Sequence, residues 1–147
     1  MDCIESAKSQ GAAVRHGGER HGTEGFWVKP TIITNTRPEM DIVREEISGP
    51  VAIIIKFERE DEVLALANDP HYGLTASLWT NDLTRGFRVT KMLQAGTVWV
   101  NCMNELYPNV PYGGFKQSGV GRECGQYALN TYVVHVLTAL SRDLSGR

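Results

Sequence analysis

The feature that most constrains the fold is the run Val51-Ala52-Ile53-Ile54-Ile55-Lys56-Phe57, apolar without alternation and rich in β-branched side chains. A strand covered on both faces in a parallel sheet has this pattern. Residues 61–67 read as the helix that follows, closed by Asn68-Asp69-Pro70. Ala76 to Thr80 reads as a second strand, Asp82 to Leu93 as a second helix opened by Asn81 or Asp82, and Thr97 to Asn101 as a third strand. Strands and helices alternating at such short spacing require parallel strands joined by right-handed crossovers, so the expected class is α/β. Ligands of such sheets gather at the carboxyl ends of the strands, which places the segment from Asn101 through Glu123 beside a binding site.

The flanks are less regular. Ile4 to Val14 carries apolar residues among Glu5, Lys8 and Gln10 and reads as a short helix. Phe26-Trp27-Val28 and Thr31-Ile32-Ile33-Thr34 read as strand interrupted at Pro30, and Met40 to Glu45 as a short helix that stops before Gly49-Pro50. Cys124 to Tyr132 reads as a helix, Val133 to Leu137 as a terminal strand without a partner in the chain, and Leu140 to Arg147 as a polar, frayed end.

Composition excludes several classes. A net charge of -2, with basic and acidic residues interspersed, leaves no footprint for nucleic acid. No apolar run approaches the roughly 20 residues that cross a bilayer, and the first residues lack the order of a signal peptide. The expectation is a cytoplasmic protein with no nucleic-acid or membrane partner. The three cysteines, Cys3, Cys102 and Cys124, are odd in number and unpatterned, which fits reduced thiols and neither a disulfide framework nor a metal site. Cys102, beside Asn101 at the end of an apolar run, is where a thiol nucleophile could be displayed, yet no histidine is tied to it by a motif.

Two blocks carry the functional reading. One is Arg44-Glu45-Glu46-Ile47-Ser48-Gly49-Pro50-Val51, in which a pair of carboxylates precedes a turn into the buried strand. The other is Pro111-Tyr112-Gly113-Gly114-Phe115-Lys116-Gln117-Ser118-Gly119-Val120-Gly121-Arg122-Glu123, where four glycines in nine residues surround a lysine. Its spacing is neither a P-loop nor a dinucleotide fingerprint. The glycines suit close backbone packing, with Arg122-Glu123 capping or pairing at the next helix.

In this order, with strands and helices between them, the two blocks resemble the C-terminal part of an aldehyde dehydrogenase. The resemblance implies part of that family's catalytic domain over residues 1–131, with an oligomerisation strand and tail over 132–147. The complete enzyme of the family oxidises an aldehyde to a carboxylic acid with NAD or NADP, through a cysteine thioester. By resemblance Glu46 would hold the hydroxyls of the nicotinamide ribose, since a carboxylate accepts two hydrogen bonds from adjacent hydroxyls. Ser48 stands where the family has a phenylalanine packed by the nicotinamide ring, and a serine lacks that aromatic contact. Asn104 to Tyr112 would form the aldehyde-entrance loop, with Leu106, Tyr107 and Tyr112 in the substrate wall. Such a wall accepts apolar, aromatic or quaternary-ammonium aldehydes.

The family's nucleophilic cysteine and general-base glutamate lie upstream of the Glu45-Glu46 block, so the resemblance implies no catalytic residue in this chain and no activity alone. The alternative is a non-catalytic α/β module that pairs its terminal strand with a full-length homologue, as homo- or hetero-oligomer. The run Val133, Val134 and Val136 makes an exposed edge there unfavourable. A further alternative is an independent thiol enzyme using Cys102.

Overall fold

The computed structural model describes residues 1–132. The expected terminal strand, and the oligomerisation assigned to it, lie outside the described residues.

Helix α1 (Asp2–Ser9) buries Ile4 and Ala7, one helical turn apart, and carries a Glu5–Lys8 pair at 2.8 Å on its exposed side. It stops earlier than its apolar spacing suggests. Gly11 adopts φ 94°, a conformation that ends a helix, and Ala13–His16 becomes strand β1. The helix read through to Val14 is thus corrected: Val14 is β-branched and lies opposite Ile33 on the antiparallel strand β2 (Thr31–Thr34). Phe26-Trp27-Val28 is likewise no strand but the end of a loop. Only Val28 bridges Arg20, while Phe26 and Trp27 are exposed.

Helix α2 (Asp41–Arg44) leads to β3 (Val51–Ile53), which runs parallel to β2 with Ile33 opposite Ile53. Ala7, Ile33, Met40 and Ile42 form the buried cluster between helices and sheet, with Val14, Val43, Ile47, Val51 and Ile53 packed around it. Each such aliphatic side chain contributes about 1.5–3 kcal/mol on burial. Thr31, buried beside them, is satisfied: its Oγ1 accepts from the Gly18 amide at 2.8 Å and donates to the Lys29 carbonyl at 2.8 Å.

The expected three consecutive parallel strands are realised in part. Helix α3 (Glu60–Asn68) and strand β5 (Thr75–Leu78) follow β3, and helix α4 (Leu83–Met92) crosses over to β6 (Thr97–Val100), parallel to β5. Asp82 caps α4 by accepting from the Arg85 amide at 3.0 Å. But β3 pairs with β2 rather than with β5, and β5–β6 is a separate sheet. The run from Val51 is not covered on both faces either. The ladder ends at Ile53 but for the Ile54 amide, which donates to the Ile33 carbonyl, and Ile54 and Phe57 are 52% and 50% exposed. The physical reason is local: β2 ends at Thr34, and among the described residues no strand lies on the other edge of β3.

Helices α3 and α4 are tied by charge. Arg88 and Arg85 both donate to the Glu60 carboxylate at 2.7 Å and, in that order of weight, hold its pKa below the ordinary carboxylate value.

Two short strands escaped the sequence reading: β4 (Tyr72–Gly73) and β7 (Phe115–Lys116), paired antiparallel. They fasten the glycine-rich segment to the loop after α3. Residues 124–132 contain a 3₁₀ turn, Gln126–Ala128, and helix α5 (Leu129–Tyr132). No helix among the described residues is long and apolar enough to cross a membrane.

Candidate functional site

Past α2 the chain becomes extended at Glu45 and passes through two successive three-residue turns. In them the Gly49 amide donates to the Ile47 carbonyl at 3.0 Å, and the Val51 amide to the Gly49 carbonyl at 2.8 Å. Ile47 is half-buried against the core cluster, and its neighbours Glu46 and Ser48 are exposed. Glu46 and Ser48 line one concavity of about 580 Å³, whose other walls include Ile4, Phe26, Trp27, Ile47 and Val51. The Glu46 carboxylate has no ion-pair partner among the described residues, so both oxygens are free to accept. Phe26 and Trp27, 95% and 70% exposed, had been read only as strand residues. Their aromatic character was visible in the sequence, but their convergence on Glu46 depends on the loop that brings residues 19–29 back to the sheet.

The loop after β6 is held at three points. Trp99 is buried and its indole N–H donates to the Glu105 carbonyl at 2.9 Å; the Gly125 amide donates to the Pro108 carbonyl at 2.8 Å; Tyr112 and Glu123 exchange backbone bonds of 2.8 and 2.7 Å. Between these anchors Leu106 and Tyr107 are 55% and 56% exposed. Tyr112 is half-buried and lines a different concavity, of about 320 Å³, with Leu74, Arg122 and Tyr132. The structure therefore joins Glu46 with Ser48 and leaves Leu106 and Tyr107 exposed at the entry to the turn that the Val110 amide closes on the Tyr107 carbonyl, and it puts Tyr112 in neither group.

The glycine-rich segment is packed as its composition implies, and its charges do something other than expected. A Cβ on Gly96 would lie 1.7 Å from the Gly113 carbonyl oxygen, and one on Gly114 would lie 2.6 Å from the Ser118 Cβ. Only glycine permits that approach. Arg122 caps no helix. Its Nη1 donates to the Gly114 and Gly121 carbonyls at 2.9 and 2.8 Å, and its guanidinium sits 5.5 Å from the Phe115 ring centroid. Lys116 donates to the Asn68 and Pro70 carbonyls at 2.5 and 3.0 Å. Both cations are consumed in holding backbone.

At the carboxyl end of β6, Asn101 has φ 57° and its side-chain amide spans the Thr80 peptide, accepting from the amide at 2.8 Å and donating to the carbonyl at 2.9 Å. Cys102 follows it, half-buried and a free thiol like the exposed Cys3 and Cys124. No cluster of metal-ligating side chains occurs among the described residues.

The chain is similar in sequence and in shape to known proteins. The model of the aldehyde dehydrogenase family matches residues 1–136. An aldehyde dehydrogenase of Agaricus bisporus is 50% identical over 140 residues, 92% of this chain and 28% of that protein. The cytosolic aldehyde dehydrogenase 1 of Rattus norvegicus is 50% identical over 132 residues, 90% of this chain and 26% of that protein. Among solved structures, an NAD+ complex of the aldehyde dehydrogenase of Bacillus cereus superposes with a TM-score of 0.87 at 46% identity, over 89% of this chain and 27% of that one. The chain thus spans little more than a quarter of the length of these relatives.

Proposed function

The chain belongs to the aldehyde dehydrogenase family, and from that premise we propose that it carries the nicotinamide-ribose contact and part of the aldehyde-entrance wall of an NAD(P)-dependent aldehyde-oxidising site. The observation that supports this most directly is the Glu46 carboxylate, exposed and without an ion-pair partner among the described residues, in a concavity with exposed aromatic side chains. The residues present fit a cofactor of this kind. A carboxylate accepts two hydrogen bonds from a vicinal diol, and the apolar wall around it suits a planar ring. When bound, NAD(P)+ supplies the acceptor for the aldehyde's hydride. Glu46 would hold and orient the ribose, while Leu106 and Tyr107 on the exposed loop would meet the apolar part of the aldehyde.

The thiol nucleophile and the general base of the family reaction belong, on this reading, to the part of the family chain that this one does not span. The chain alone then supports no turnover. The same reading places it in the cytoplasm, as one subunit of an oligomer formed through residues 132–147.

A chimera tests the role of Glu46: residues 1–136 replace the matching segment of the Agaricus bisporus relative. Hydrogen bonds to a charged group are worth about 1.5–3 kcal/mol. The change Glu46→Gln should therefore raise the KM for NAD+ by about tenfold or more while leaving the aldehyde KM in place. An unmoved NAD+ KM would refute the assignment. Aldehyde-dependent NADH formation by the purified chain, lost in Cys102→Ser, would show instead that a nucleophile lies within it.

A further inference from the structure

The wall of the Glu46 concavity holds two aromatic side chains, Phe26 and Trp27, that the contacts assigned above leave without a role. They differ in how they are held. Residues 19–29 fold back on themselves: Arg20 bridges Val28, the His21 amide donates to the Trp27 carbonyl at 2.9 Å, and the Lys29 amide donates to the Glu19 carbonyl at 3.0 Å. A Glu19–Lys29 ion pair of 2.6 Å closes the base of this loop, and Arg20 Nη2 donates to the Gly25 carbonyl at 2.5 Å near its tip. The Trp27 backbone is thereby tied down. Its indole is placed as well: a Cβ on Gly25, which has φ 70°, would lie 3.1 Å from Nε1 and 3.2 Å from Cδ1, so the pyrrole edge rests on that glycine. Trp27 is still 70% exposed, so most of its ring remains available, whereas Phe26, at 95%, is scarcely packed at all.

Charge supplies the second half of the argument. Among the described residues Glu46 is the one charged side chain in this wall, and it has no ion-pair partner. An indole face and an unpaired carboxylate lining one concavity favour a flat cation over a neutral ring of the same shape. A nicotinamide ring is such a cation when oxidised and is neutral when reduced. At about 580 Å³ the concavity has the size of a small-molecule site, and Ser48 brings no ring of its own to it.

We propose that Trp27 supplies the aromatic contact to the nicotinamide ring that Ser48 cannot make, and that it sets a preference for the oxidised over the reduced cofactor. The inference rests on the cofactor reading above and deepens it. Glu46 recognises the ribose diol, which both forms carry, and Trp27 reads the charge of the ring, which only the oxidised form carries.

The test is calorimetry of NAD+ and NADH on the chimera and its variants. Trp27→Leu keeps apolar bulk and removes the π face, so it should raise the Kd for NAD+ about two- to fivefold and leave that for NADH in place. Trp27→Phe, which keeps a ring, should recover most of the loss, and Phe26→Leu should change neither constant. Glu46→Gln should raise both constants. Trp27→Leu that moves both equally, or neither, overturns the proposal, and the ribose assignment still stands if Glu46→Gln raises both. A selective Trp27 effect beside an inert Glu46→Gln sinks the ribose assignment alone. A lower melting temperature in Trp27→Leu with unchanged constants would mean that the indole packs against another part of the fold, and also overturns the proposal. Where the chimera fails to fold, the chain itself gives the readout: the Trp27 indole N–H resonance should shift with oxidised nicotinamide mononucleotide and not with the reduced form. The absence of a selective shift there counts as refutation.

Discussion

Single atoms decide which glycines this chain requires. Gly96 and Gly121 look alike in the sequence, but a methyl group on Gly96 would strike the Gly113 carbonyl at 1.7 Å, whereas one on Gly121 meets nothing within 4 Å. Forcing that backbone apart costs about 1–3 kcal/mol or more. Gly96→Ala should lower the urea midpoint by that equivalent and loosen the glycine-rich segment, and Gly121→Ala should stay within about 0.5 kcal/mol of the parent. At the proposed cofactor site the informative residue is Ser48, which lines one concavity with Glu46 and offers no aromatic contact. In the chimera, Ser48→Phe should tighten NAD+ binding or raise turnover, read as Kd by calorimetry and kcat by NADH formation; an effect on neither would remove the argument. The proximity of Glu46 to Ser48 followed from the sequence because only one residue, Ile47, separates them. The roles of Arg122 and Lys116 did not, because the carbonyls they bind, Gly114 and Asn68 among them, become neighbours only after folding.

Among the elements, the periodic ones were legible and the short ones were not. Helices α3 and α4 and strands β5 and β6 emerge from their own apolar patterns, and Asp82 was readable as a cap because its side chain acts three residues away. Strands β4 and β7, two residues each, leave no periodicity to read. Which strand lies beside β3 is a tertiary choice that the run from Val51 cannot encode. The α3–α4 contact is a further tertiary feature with a testable pH signature. Arg88 and Arg85 lower the pKa of Glu60 from its ordinary 4.5. A carboxyl lowered in the folded state stabilises fully above its unfolded value and ceases to do so as pH falls through the folded one. The melting temperature of the parent should therefore exceed that of Glu60→Gln at neutral pH, with the difference vanishing in acid below that range and shrinking in high salt. A difference constant with pH would show that Glu60 acts through packing.

At the scale of the molecule, the described residues leave much apolar surface uncovered. Trp79, Phe87, Leu106, Tyr127 and Leu129 are among the large apolar side chains left more than half exposed. The denaturant dependence of stability scales with the area exposed on unfolding. The isolated chain should therefore show a urea m-value below that of a compact protein of equal length, and it should bind a hydrophobic dye while still folded. A full-sized m-value together with a midpoint that rises with concentration would mean that copies of the chain cover one another's apolar surface in solution.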